Sequence, residues 1–157
     1  NNAWCQDNET SWFDWRLTET NGDMLNFVRQ AIALRRRHPS LSRPEFLTGQ
    51  NEPARGIPDI TWHGAVPGES PWGNDSRYLA FTLAGCSAQE EDLHVLVNMS
   101  DRSESVVLPA IPGRRWYLAV DTARESPWDI VPRDAQMTWA APRYLSQPRS
   151  VVVLESR

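Results

Sequence analysis

The 157-residue sequence has no apolar run near the roughly 20 residues needed to span a bilayer. It also lacks the basic start and apolar run of a secretory signal, so no membrane partner is expected. Cysteine is scarce, with two in all. A secreted disulfide scaffold would carry more, so Cys5 and Cys86 read as free thiols in a reducing cytoplasm. Nothing in the sequence supports a bridge between them. An excess of basic charge is missing too: the net charge is −4 and the pI about 5.4. That balance excludes a nucleic-acid partner, which would need a basic face. The dense basic run Arg35-Arg36-Arg37 reads as the solvated C-terminal turn of a helix, where cations oppose the helix dipole. There is no glycine-rich phosphate loop, no nucleophile elbow around Ser11, Ser70 or Ser76, and no internal repeat. His38, His63 and His94 are scattered, with no cysteine or carboxylate at metal-ligand spacing. No metal or cofactor is expected.

What the chain has in excess is tryptophan, eight in all. An indole wants burial for its body and a partner for its N–H. Two explanations compete: a core built from large flat side chains, or a surface that stacks on the apolar faces of sugar rings. Composition alone favours the core. Trp62 and Trp116 fall within strand patterns and suit a core. Trp72 and Trp128 fall in proline-rich loops and suit exposure.

Residues 1–20 carry three tryptophans, several amides and carboxylates, and no helical or strand period. They read as a long ordered loop. Asn21-Gly22-Asp23 then signals a helix start, with Asn21 or Asp23 as cap. Met24, Leu25, Phe27, Val28, Ala31, Ile32 and Leu34 form a wide apolar face, and Pro39 stops the run. The expectation is a helix over 23–38, with His38 as a C-terminal cation. That helix is too apolar to stand uncovered in water. Thereafter the chain turns to short β-branched and aromatic runs at 59–64, 77–85, 93–100, 104–109, 114–122 and 149–156. Their density suggests an antiparallel β-sandwich. Residues 64–76 and 123–136 read as loops. The fold class is therefore mainly β with an N-terminal helix. A loop and one helix do not make a domain, so residues 1–40 read as the end of a larger one and 41–157 as the sandwich.

At this level the motifs carry a resemblance. "NNAWCQDNETSWFDWRL" followed by "FVRQAIALRRRHPSL" resembles the end of the catalytic barrel in isoamylase-type glycogen debranching enzymes of the α-amylase superfamily. "DITWHG", "PWGNDSRYLAFTLAG", "GRRWYLAVDT" and "RSVVVLE" are similar to the C-terminal β-sandwich of the same group. Segments 86–94 and 123–145 carry least of the likeness. The resemblance implies that the opening stretch is the long loop after the eighth strand of a (β/α)₈ barrel, and that helix 23–38 is the eighth barrel helix. It implies an upstream catalytic barrel as a partner and a branched α-glucan such as glycogen as the substrate of the parent enzyme.

Retaining glycoside hydrolysis needs two carboxyl groups about 5 Å apart. By the resemblance, the family carries its carboxylates on earlier barrel strands, and no stretch here matches their motifs. No catalytic residue is assigned. An independent Asp7–Glu9 pair is disfavoured, because nothing in a bare loop would raise one carboxyl's pKa. Asn1, Asn2, Gln6, Asp7 and Asn8 carry the donors and acceptors that sugar hydroxyls need, and Trp4 and Trp12 offer stacking faces. These seven are the substrate-binding candidates. The competing view is that they hold the loop's own shape. For the sandwich, the alternatives are a brace for the barrel and a carbohydrate-binding module with surface tryptophans.

Overall fold

The computed structural model describes residues 4–64, 72–73 and 75–157. The expected helix forms as α2 (Gly22–Arg37). Asn21 stands at its N-cap, but its side chain makes no capping bond. A shorter helix, α1 (Leu17–Thr20), lies inside the stretch read as irregular loop. Four residues are too few for a 3.6-residue period to show in the sequence. The Thr18 hydroxyl ties α1 to the preceding turn by donating to the Trp15 carbonyl at 2.7 Å. Beyond α2, His38 is extended (φ −114°, ψ 90°), as the residue before a proline prefers, and a 3₁₀ turn follows at Pro39–Ser42.

The rest is antiparallel β-structure. A small hairpin pairs β1 (Asn51–Glu52) with β2 (Ile57–Pro58). The main sheet contains β3 (Ile60–His63), β4 (Tyr78–Leu83), β5 (Leu93–Asn98), β7 (Trp116–Asp121), β8 (Thr138–Trp139) and β10 (Ser150–Ser156). Their spatial order is β3-β4-β5-β10-β7-β8. A second, two-stranded sheet joins β6 (Glu104–Val107) to β9 (Arg143–Ser146). Each of the six expected strands forms within its expected range. The strands β1, β2, β8 and β9 were not anticipated: three of them are two residues long, and Arg143–Ser146 alternates exposed and buried without an apolar run.

Period-two alternation gives the main sheet two different faces. On one, Ala80, Leu96, Trp116, Leu118, Val152 and Leu154 meet Val106, Leu108 and Tyr144 from the β6–β9 side, forming the principal core. On the other, Phe27, Ala31 and Leu34 of α2 pack against Ala119, Val120 and Val153. A β-bulge aids this second contact. Val153 pairs with Val120 and Leu154 with Leu118, so Ala119 is the extra residue. Ile130, from the loop read at 123–136, bridges to Val120 and is buried in the same cluster. That loop is therefore anchored at its middle. Of the loop read at 64–76, residues 65–71 and 74 lie outside the described residues.

Candidate functional site

The loop ahead of α1 brings Gln6, Asp7, Asn8 and Trp12 into one local turn. The Asn8 amide donates to Gln6 Oε1 at 3.1 Å, and Asn8 Oδ1 accepts the Thr10 N–H at 3.0 Å. The Ser11 hydroxyl donates to the Gln6 carbonyl at 2.5 Å. The Trp12 indole N–H donates to Asp7 Oδ1 at 2.7 Å. These bonds shape the loop itself, yet leave Gln6, Asp7 and the Trp12 ring exposed. Trp4 is also exposed, on backbone at φ 50°. Asn1 and Asn2 lie outside the described residues. Next along the chain, Phe13 and Trp15 meet edge to face with centroids 5.2 Å apart. Arg16 forks onto both oxygens of Asp14, and that hydrogen bonding holds the Asp14 carboxyl below its ordinary range. The arrangement can offer hydroxyl partners and indole faces to a polar ligand. Of its carboxylates, Asp7 is engaged by the Trp12 indole and Asp14 by Arg16.

A second cluster, which the sequence reading missed, lies at the other end of α2. All sixteen basic residues are arginines, and their planar forks suit buried carboxylates. Glu155, wholly buried on β10, receives Arg37 at 3.0 and 2.5 Å, His38 Nε2 at 2.8 Å and Arg157 at 3.2 Å. Burial alone would raise its carboxyl. The His38 hydrogen bond and the charges of Arg37 and His38 outweigh that and bring it down to about 2. Asp92, also wholly buried, takes a two-pronged bond from Arg55 at 2.9 and 2.8 Å. Gly85 N–H and the Ser156 hydroxyl add to it, so the carboxyl stays below its ordinary range despite burial. Glu91 pairs with Arg133, and Glu90 accepts the Ser40 and Cys86 N–H groups. His38 is thus not a solvated helix-end cation but a buried partner of Glu155. The signal in the sequence was the run Glu90-Glu91-Asp92 just ahead of a strand, which should have demanded cations. The four carboxylates Glu90, Glu91, Asp92 and Glu155 are each engaged within the fold, so the cluster fastens the helix end to the sheet.

On the principal core side, the Thr82 hydroxyl bridges His63 Nε2 and His94 Nδ1, each at 2.9 Å. Burial pushes His63 down and brings His94 down to about 3, so both rings stay neutral. Among the described residues, no three His, Cys, Asp or Glu side chains converge as a metal site.

The tryptophans divide only partly as expected. Trp116 is core, its N–H donating to the Pro109 carbonyl at 2.7 Å. Trp72 and Trp128 are exposed. Trp62 is not core: it is 40% exposed, on the helix-side face of the edge strand β3, in tilted contact with Phe81 across the ladder at 5.4 Å. Alternation within a strand gives a face but not which face is covered, which is why that assignment failed.

Comparison with known proteins adds four findings. The family model described as "Isoamylase 1-3, C-terminal" matches residues 61–149. Isoamylase 1, chloroplastic, from Arabidopsis thaliana is 33% identical over 135 residues, covering 85% of this chain and 16% of the relative. A glycogen operon protein GlgX homolog from Mycobacterium tuberculosis is 45% identical over 92 residues, covering 54% of this chain and 12% of the relative. Among solved structures, a pullulanase from Bacillus acidopullulyticus aligns with TM-score 0.57 at 16% identity, covering 91% of this chain and 15% of that one. The last likeness concerns the fold alone. The chain spans less than a fifth of the length of each of these proteins.

Proposed function

We propose, because the chain belongs to the isoamylase C-terminal domain family, that it is the C-terminal part of a debranching enzyme hydrolysing α-1,6-glucosidic links in glycogen or a related glucan. In this reading residues 1–40 are the last loop and helix of an upstream catalytic barrel, and 41–157 are the β-domain that braces it. The loop bearing Asn1, Asn2, Trp4, Gln6, Asp7, Asn8 and Trp12 borders the substrate groove. The catalytic carboxylates belong to the barrel.

The observation that carries the reading is the two-sidedness of α2. Its Phe27, Ala31 and Leu34 meet the β-domain. Its Met24, Val28 and Ile32 are exposed, and Phe13 and Leu17 extend the same apolar surface. Covering a side chain of this size is worth roughly 1.5–3 kcal/mol. A helix apolar on both sides suits a position between two layers. The indoles favour a brace over a binding module. Trp62 and Trp72 lie 5.4 Å apart but tilt at 57°, so they present no flat platform.

The test compares this chain with the same chain joined to its upstream region, on a branched glucan. Reducing ends should be released only by the longer protein. In the longer protein, Trp12→Ala should raise KM more than it lowers kcat. Turnover by the 157-residue chain alone, lost on Asp7→Asn, would overturn the reading.

A further inference from the structure

A cleft of about 640 Å³ lies away from the N-terminal loop, between the 3₁₀ turn, the segment after it, the β1–β2 hairpin and Cys86. Its volume is in the range of small-ligand sites. Its base is rigidly built. The Asp59 carboxylate accepts the N–H groups of Thr48 at 2.8 Å, Gly49 at 2.7 Å and Ile60 at 2.7 Å, and the Thr48 hydroxyl at 3.1 Å. Gly49 turns the loop there at φ 76°. Arg43 spans the wall, donating to Glu52 Oε2 at 3.2 Å and to Cys86 Sγ at 3.0 Å, with Asp59 at 3.6 Å.

On this fixed base stands Phe46, whose side chain the fold does not use: the residue is 96% exposed. Beside it Glu45, Gln50 and Asn51 line the cleft with exposed side chains. Arg43, Glu45, Glu52 and Asp59 give the cleft mixed charge, which suits neither a phosphate nor a nucleic acid. An uncovered aromatic ring next to amides and carboxylates suits a ligand with an apolar face and a rim of hydroxyls, which is a pyranose.

We propose that this cleft binds a short linear α-glucan segment, with Phe46 stacking on a sugar ring and Gln50, Asn51 and Glu45 bonding its hydroxyls. The choice of α-glucan rests on the proposed function; the site itself rests on the cleft. It lies on the β-domain and would hold outer chains of a branched polymer without cutting them.

The test uses the whole chain carrying Cys5→Ser, so that Cys86 is the sole thiol. Maltohexaose, which has no branch link, is titrated by calorimetry. In parallel the alkylation rate of Cys86 by iodoacetamide is followed by mass. Saturable binding with Kd on the order of 1 mM is expected. At saturation Cys86 alkylation should slow by about threefold, Phe46→Ala should weaken binding by about tenfold, and Gln50→Ala by less, since a stacked ring is the anchor. Both variants are at exposed positions and should keep the wild-type unfolding midpoint. No saturable binding would overturn the proposal. So would binding that survives Phe46→Ala but is lost on Trp12→Ala, and so would Phe46-dependent self-association without sugar binding. None of these results touches branch cleavage by the longer protein, which is assayed separately.

Discussion

His94 should make this domain acid-sensitive well above the pH at which carboxylates titrate. The ring is wholly buried against Trp116 and His63, with Nδ1 held at 2.9 Å by the Thr82 hydroxyl. Burial first, and His63 second, bring its pKa down to about 3 from 6.5. The unfolded chain takes up this proton near 6.5, while the folded chain refuses it until about 3. Its contribution is therefore complete above 6.5 and falls steadily as pH drops toward 3. Each pH unit in that window is worth about 1.4 kcal/mol, so acidification to about pH 5 costs about 2 kcal/mol. Against a usual domain stability of about 5–15 kcal/mol, that is a large fraction. His63 acts in the same sense. The assay is urea unfolding followed by tryptophan fluorescence at about pH 7.5 and about pH 5, for the wild type and His94→Asn. Asparagine is neutral throughout and keeps a polar atom near Thr82. The variant will be less stable at both values, but its loss on acidification should be smaller by about 2 kcal/mol. Equal losses in the two proteins, or an imidazole nitrogen signal titrating near 6.5, would refute the reasoning.

Three further outcomes follow from other parts of the fold. Glu155→Gln leaves Arg37, His38 and Arg157 around a neutral amide and should cost about 3–5 kcal/mol in the same unfolding assay. Since the Glu155 pKa is about 2, the wild-type benefit should persist above the ordinary 4.5 and fade only as pH falls from there toward 2. Gly85→Ala should destabilise by about 1–3 kcal/mol, because its new carbon would lie 2.8 Å from Glu90 Cβ and 2.9 Å from the Glu90 carbonyl oxygen. Substituting Val28→Glu and Ile32→Lys together should move stability by no more than about 0.5 kcal/mol each while reducing self-association in sedimentation, since both side chains are already exposed.

The elements with a period are legible in the sequence. The apolar spacing from Met24 to Leu34 gave α2, and runs such as Leu93–Asn98 gave the strands of the main sheet. Period alone could not say which side of α2 or of β3 is covered, since that is decided by partners distant in sequence. Trp62 was misassigned for that reason, and the division of α2 between Phe27 and Val28 was not visible. The clasp at Glu155 was also hidden, because Arg37 and His38 lie 118 and 117 residues away from it in the chain. In the N-terminal loop the residue types were informative but their bonding was not. Asp7 and Trp12 were both singled out as sugar contacts, yet the bond between them depends on a turn that no period announces.

The position of β10 decides when this domain can come into being. Ser150–Ser156 enters between β5 and β7, so it completes the sheet from its middle. Until those residues are synthesised, β3-β4-β5 and β7-β8 are two separate half-sheets, each with a long bare edge where β10 belongs. Val152 and Leu154 have not yet closed the principal core, and Val153 has not yet met the helix side. On the ribosome the earlier strands must therefore wait with unsatisfied backbone facing outward, which is the condition that invites wrong pairing between nascent chains. Cells that make this protein should need a chaperone most in that interval, and a stall site placed just before the codon for Ser150 should be the most aggregation-prone point in this stretch of its translation.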